Sequence, residues 1–153
     1  MILTKGDMLR TLSLEETYLV TTNSYIRRDG ALVMGRGAAK QLATRFPIRV
    51  FQKLPYEFGK RINHLGEYNI IVLTDPDTGL RLGAFQVKYH FKDAADLALI
   101  ERSVDELASI AHERSERKFN VNFPGIGNGK LDYDQVLPLL ERLPDNVYVW
   151  TFH

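Results

Sequence analysis

Hydrophobic positions along the chain fall into short runs that switch between two periods, the pattern of strands alternating with helices. Tyr18-Leu19-Val20-Thr21-Thr22 is dense in β-branched and aromatic residues and predicts a short strand. A glycine-bearing loop follows from Asn23 to Gly37. Ala38, Ala39, Leu42, Ala43 and Phe46 then recur at helical spacing, and Pro47 is expected to stop that helix. Asn69-Ile70-Ile71-Val72-Leu73-Thr74 is a nearly continuous apolar run and reads as a buried strand. Asp75-Pro76-Asp77-Thr78-Gly79 is a turn sequence, so Leu80 to Val87 is expected to return as the second strand of a hairpin.

The clearest helix is expected to begin near Asp93, whose carboxylate suits an N-cap. Leu97, Ile100, Val104, Leu107, Ala108 and Ala111 form its apolar stripe, and Glu101, Arg102, Asp105 and Glu106 fall on the face expected to meet water. Phe119 to Phe123 alternates as a strand. Val136, Leu137, Leu140 and Leu143 mark a last helix, in which Pro138 is expected near the first turn. Val147 to Phe152 is a final strand. This order implies a largely parallel or mixed sheet with helices on both faces, a three-layer α/β/α fold. Ligands of such folds gather at the carboxyl ends of the strands.

Composition adds bounds. The chain has 153 residues, of which 44% are hydrophobic and 25% charged, and no repeat or polar linker divides it; a single domain over residues 1–153 is expected. Twenty basic and 19 acidic residues leave a net charge of +1, so total charge does not advertise long nucleic acid as a partner. There are no cysteines, which removes disulfides, thiolate metal sites and cysteine nucleophiles together. His64, His90, His112 and His153 lack metal-ligand spacing, and no metal or cofactor is expected. The first residues lack the apolar run of a signal peptide, and no segment approaches the roughly 20 apolar residues of a membrane span. A monomer in the cytoplasm of a bacterial or phage-infected cell, with no membrane partner, is the expectation.

Two glycine-rich segments carry the candidate chemistry. Met34-Gly35-Arg36-Gly37-Ala38-Ala39 follows the first predicted strand, and Pro124-Gly125-Ile126-Gly127-Asn128-Gly129-Lys130-Leu131 follows the strand ending at Phe123. Glycine lets backbone approach a ligand closely, successive amides can point at one anion, and a following helix adds its positive end. One such loop reads as a tight turn. Two in matching positions suit a diphosphate. The second is not a Walker A loop: Pro124 stands where its first glycine would be, and Leu131 replaces the metal-binding hydroxyl. Lys130 stands where a dinucleotide fingerprint needs its third glycine.

The order Lys5-Gly6-Asp7, Asn23, Val33-Met34-Gly35-Arg36-Gly37-Ala38-Ala39 and Phe123-Pro124-Gly125-Ile126-Gly127-Asn128-Gly129 resembles the macrodomain family over essentially the whole chain. Gln86-Val87-Lys88 and Ala95 to Ser103 further resemble a compact subgroup of bacteria and their phages, close to the lysine-dependent ADP-ribosyl glycohydrolase branch. The resemblance implies a macrodomain-like α/β/α fold with a mixed sheet. It also implies a ligand-binding set of Asp7, Met8, Asn23, Met34, Gly35, Arg36, Gly37, Ala38, Pro124, Gly125, Ile126, Gly127, Asn128 and Gly129. Asp7 would accept from the adenine amino group, Asn23 would lie near the distal ribose, and the two loops would hold the diphosphate.

In that branch a lysine matching Lys88 attacks the anomeric carbon of the distal ribose; without the resemblance, Lys88 reads as a solvated or phosphate-pairing lysine at a strand end. His90 is a second candidate, as general acid/base or phosphate contact, against an ordinary surface histidine. Asp132 is a candidate acidic partner or a cap of the last helix. Arg36 suits a phosphate, and Arg27, Arg28, Lys60 and Arg61 read as solvated surface or as guides for a modified nucleic acid. The expected partner is ADP-ribose, or an ADP-ribosylated protein or nucleic acid. The implied activity is hydrolysis of an ADP-ribosyl linkage or of ADP-ribose 1''-phosphate. A non-catalytic reader or sequestering module, and an RNA- or poly(ADP-ribose)-binding module, are the alternatives.

Overall fold

The computed structural model describes residues 1–35, 37–44 and 49–152. Arg36, and the Phe46-Pro47 stop expected for the first helix, lie outside the described residues, as does His153. Six strands form one sheet: β1 (Ile2–Lys5), β2 (Glu16–Thr22), β3 (Ile70–Thr74), β4 (Arg81–Gln86), β5 (Lys118–Asn122) and β6 (Val147–Thr151). Their order is β1-β6-β5-β2-β4-β3. β3 runs antiparallel to β4, and every other neighbouring pair is parallel.

Helices α1 (Gly37–Thr44) and α2 (Arg49–Gly59) cover one face, and α3 (Leu97–Glu113) and α4 (Tyr133–Leu140) the other. The strands feed both cores by alternation. In β2, Leu19 packs with Ile100, Val104 and Val136, while Tyr18 and Val20 pack with Leu42, Leu54 and Phe58. Leu19, Phe85, Leu107 and Phe119 are at most 2% exposed, and each such side chain contributes about 1.5–3 kcal/mol of burial. The three-layer arrangement and mixed sheet agree with the sequence expectation.

Several local expectations are corrected. The N-cap of α3 is Asp96, three residues beyond Asp93; its carboxylate accepts from Ala98 N at 2.9 Å and Leu99 N at 3.2 Å. β3 is an edge strand rather than a buried one: Ile70 and Ile71 are buried, but Val72 and Thr74 are exposed. Glu106 turns from water to accept the Ile70 N–H at 3.1 Å, and partial burial raises its pKa. Pro138 sits in the second turn of α4, not the first. β1 and α2 have no counterpart among the expected elements. β1 is short and mostly exposed, and α2 carries Pro55 in its interior. The Pro55 carbonyl is put to use, accepting Leu32 N at 2.9 Å from the loop after β2.

Candidate functional site

At the carboxyl ends of the central strands the sheet parts. The regular β2–β5 register ends at Leu19↔Val121. Beyond it the Asn122 side chain fills the gap, accepting from Thr21 N at 2.9 Å and donating to Thr21 Oγ1 at 2.7 Å. A cavity of about 350 Å³ opens over this floor, an ordinary size for a small-molecule site.

The first glycine loop forms one wall. Asn23, at the end of β2, is buried and holds both ends of the loop: its Oδ1 accepts from Tyr25 N at 2.8 Å, and its Nδ2 donates to Val33 O at 3.1 Å. An isolated bridge between Ile26 and Leu32 folds the segment back on itself. Val33, Met34 and Gly35 thereby return beside Asn23 and lead into α1, whose first residues Gly37, Ala38 and Ala39 also line the cavity. The positive end of α1 is thus directed at the cleft.

The second loop forms the opposite wall with Gly125, Ile126, Asn128 and Gly129. Leu131 N bonds Gly125 O at 2.9 Å and closes the loop. Gly125 has φ +81°, and a Cβ built there would stand 2.8 Å from Ile100 Cδ1 and 2.9 Å from Leu131 Cδ1. Glycine is therefore needed twice over, for the left-handed backbone and for close packing on α3. The two loops meet: a Cβ built at Gly37 would lie 3.4 Å from Asn128 Nδ2.

Val87, Lys88 and Phe91 supply a third wall. Lys88 Nζ donates to Phe91 O at 3.2 Å and to Asp93 O at 3.1 Å, so the lysine is held by the loop that follows it. That loop is tied to the second glycine loop through Ala95 N to Gly129 O, 2.8 Å, and to β2 through Ser24 N to Tyr89 O, 3.1 Å. Tyr89 donates to Glu67 Oε1 at 2.6 Å, which raises the phenol pKa, and Arg102 Nη2 donates to the same carboxylate oxygen at 3.1 Å.

A smaller cavity of about 30 Å³ continues the cleft toward β1 and β6, sharing Ala38 and Asn122 with the larger one. Gly6, Asp7, Met8, Trp150 and Phe152 line it. Asp7 Oδ1 accepts Leu9 N at 3.1 Å, as a turn aspartate does, and Phe152 is 65% exposed beside it.

These expected residues do not all come together. His90 is absent from the cavity lining. It lies alongside, stacked on Phe91 at 4.4 Å and edge-on to Tyr25 at 4.7 Å, with Nδ1 accepting Lys92 N. Asp132 is the N-cap residue of α4: Gln135 Oε1 accepts its N–H at 3.1 Å, and it too is outside the lining. Pro124 and Gly127 belong to the second loop without facing the cavity. Among the described lining residues Lys88 is the one titratable side chain. No described group of three or more His, Asp or Glu stands close enough to hold a metal ion. Away from the cleft, Arg27 pairs with Asp29 at 2.8 Å, and Lys60 and Arg61 pair with Glu57 at 3.3 and 3.5 Å. Thr21, Thr22, Phe91, Asn122, Trp150 and Phe152 join the site without having been expected there. Asn122 had a signal, a polar residue closing a strand directly before a glycine loop.

Solved structures identify the fold that carries this arrangement. The chain superposes on the macrodomain of Thermus aquaticus DarG with a TM-score of 0.72 and 24% identity, covering 99% of this chain and 97% of that one. The chain has the macrodomain fold. The macrodomain of Mycobacterium tuberculosis DarG gives a TM-score of 0.69 at 25% identity, with 97% of each chain covered. Thermosipho africanus DarTG in complex with ADP-ribose gives 0.74 at 22% identity; 97% of the present macrodomain is covered, and it spans 40% of the length of that protein. No protein-family model matches the sequence, and no curated protein does. No helix among the described residues is long and apolar enough to cross a membrane.

Proposed function

We propose that this macrodomain binds ADP-ribose, or a molecule carrying it, in the cleft between the two glycine loops, and that Lys88 assists hydrolysis of an ADP-ribosyl linkage. The observation that carries the proposal is the convergence of residues 33–35 and 37–39 with Gly125, Ile126, Asn128 and Gly129 on one cavity whose third wall bears Lys88. Backbone amides from two sides and the α1 terminus suit a pyrophosphate. The smaller cavity suits adenine: Asp7 offers an acceptor for an exocyclic amine, and exposed Phe152 offers a face for a planar base. The remaining ribose then lies toward Asn23 and Lys88. The Thermosipho structure with ADP-ribose supports the same ligand.

In the chemical step the neutral amine of Lys88 attacks the anomeric carbon. The bond to the leaving group breaks, its electron pair goes to the leaving atom, and that atom takes up the proton shed by the newly bonded nitrogen. Water then releases ADP-ribose and restores the amine. The two carbonyls that Lys88 Nζ donates to, Phe91 O and Asp93 O, fix the amine beside the cleft before the ligand arrives. A binder without turnover is the second reading, favoured by the positions of His90 and Asp132 outside the lining.

Titration calorimetry with ADP-ribose, paired with release of ADP-ribose from a modified substrate, tests the proposal. Lys88→Ala is expected to keep ligand affinity within a few-fold and to lose turnover. Equal turnover in the variant removes Lys88 from the mechanism. Binding without any turnover in the wild-type protein selects the second reading, and absence of binding overturns both.

A further inference from the structure

Beneath the cleft lies a buried polar cluster that none of the foregoing uses. Tyr68, in the segment before β3, reaches under the end of β2. Its hydroxyl donates to Asn23 O at 2.9 Å and also meets Thr22 Oγ1. Thr22 and Asn23 both line the cavity. A phenol has one hydrogen to give. With that hydrogen on Asn23 O, the Tyr68 oxygen is free to accept from the Thr22 hydroxyl, so one buried phenol engages both residues of the corner. Burial pushes the Tyr68 pKa well up, so the hydrogen stays in place across the working range.

The cluster also ties the walls together. Gln86 is fully enclosed; its Oε1 accepts Tyr68 N at 2.9 Å and Asn69 N at 3.1 Å, and its Nε2 donates to Gly66 O at 2.7 Å. Gln86 stands in register with Thr22 and two residues before Lys88. Val87 N bonds Thr22 O at 2.9 Å, so the Thr22–Asn23 corner and the Lys88 wall are adjacent in the ladder. Asn23 in turn carries Val33 O of the first glycine loop.

We infer that Tyr68 is a positioning residue that holds the Thr22–Asn23 corner in place, and so sets the preference of the cleft for a ribose beyond the diphosphate. The inference rests on the reading of the cleft as an ADP-ribose site. A corner held in one arrangement can complement the hydroxyls of an outer ribose, which a ligand ending at its diphosphate lacks. In Tyr68→Phe the Asn23 carbonyl loses its donor and the Thr22 hydroxyl is released to turn.

The test compares ADP-ribose with ADP, which lacks the outer ribose, by titration calorimetry on the same folded protein. In Tyr68→Phe, ADP-ribose affinity is expected to fall about tenfold and ADP affinity to change less than about twofold. A merely structural role would weaken both ligands alike. Equal loss for both, or no loss for either, overturns the inference. So does a wild-type protein that binds ADP-ribose no tighter than ADP. Wild type that binds neither nucleotide overturns the site reading itself, and the inference with it. Thermal melts without ligand report folding. Should Tyr68→Phe fail to fold, 4-aminophenylalanine at position 68 carries the test, since its amino group keeps a donor toward Asn23 O. Retained preference for ADP-ribose is then the expected result, and loss of that preference is the contrary one.

Discussion

Replacing Gly125 by alanine separates two demands that the second loop makes on one residue. The first is conformational: φ is +81°, a left-handed backbone that costs an L-residue about 1–2 kcal/mol. The second is steric. The new Cβ would meet Ile100 Cδ1 at 2.8 Å and Leu131 Cδ1 at 2.9 Å, well inside ordinary contact. Ile100 is fully buried in the α3 core and has little room to withdraw, so overpacking adds about 1–2 kcal/mol. The total, about 2–4 kcal/mol, corresponds to a fall in Tm of roughly 5–15 °C for a chain of this size. Gly127→Ala is the matched control: φ is +65°, but nothing lies within 4 Å of the added atom. It should cost the conformational part alone, about 1–2 kcal/mol. Thermal denaturation of the pair by circular dichroism gives the comparison. Equal melting temperatures for the two variants would refute the packing argument, because only Gly125 is pressed against α3.

The cap of α3 is tested by a second pair: Asp96→Ala should cost about 1 kcal/mol and lower Tm by about 2–4 °C, while Asp93→Ala, outside the cap, should leave it nearly unchanged. Glu106 makes stability depend on pH. Its folded-state pKa is raised, so the folded protein holds that proton more firmly than the unfolded chain; the benefit is present at low pH and is lost as pH rises through the folded value. Glu106→Gln retains an acceptor for Ile70 N without the charge, so its Tm should exceed that of wild type near pH 8, with the gap closing below about pH 4. A gap that does not vary with pH would show that Glu106 titrates alike in both states.

The central strands were legible because each is a compact run of β-branched and aromatic residues, and Tyr18 to Thr22 and Phe119 to Asn122 fall where that pattern places them. The edges were not. An apolar run such as Ile70 to Leu73 carries no mark of whether a neighbour covers it, and only the pairing of β3 with β4 alone reveals an edge strand. α2 was hidden by Pro55, which argues locally against a helix that the packing of Leu54 and Phe58 nevertheless favours. Asp93 and Asp96 offer the same capping chemistry to a sequence reading. The fold separates them by giving the Asp96 carboxylate to α3 and the Asp93 carbonyl to Lys88.

The glycine loops were legible as loops, through residue type and position. What surrounds Lys88 was not, because its resolved partners, Phe91 O and Asp93 O, are backbone carbonyls that any residue could supply. Asp132 was expected as a catalytic acid or as a cap, and the capping arrangement with Gln135 draws it to α4. The Tyr68 cluster was invisible for a related reason: Gln86 was noticed as part of a motif, but its partners Gly66, Tyr68 and Asn69 lie some 20 positions earlier in the chain.

The central claim is that amides from residues 33–39 and 125–129 hold one pyrophosphate. Titration of the isotope-labelled protein with ADP-ribose, followed by amide NMR, tests it most directly. The account predicts that resonances of both loops shift together and fit a single dissociation constant. Shifts confined to one loop, or two loops that saturate at different concentrations, would contradict it.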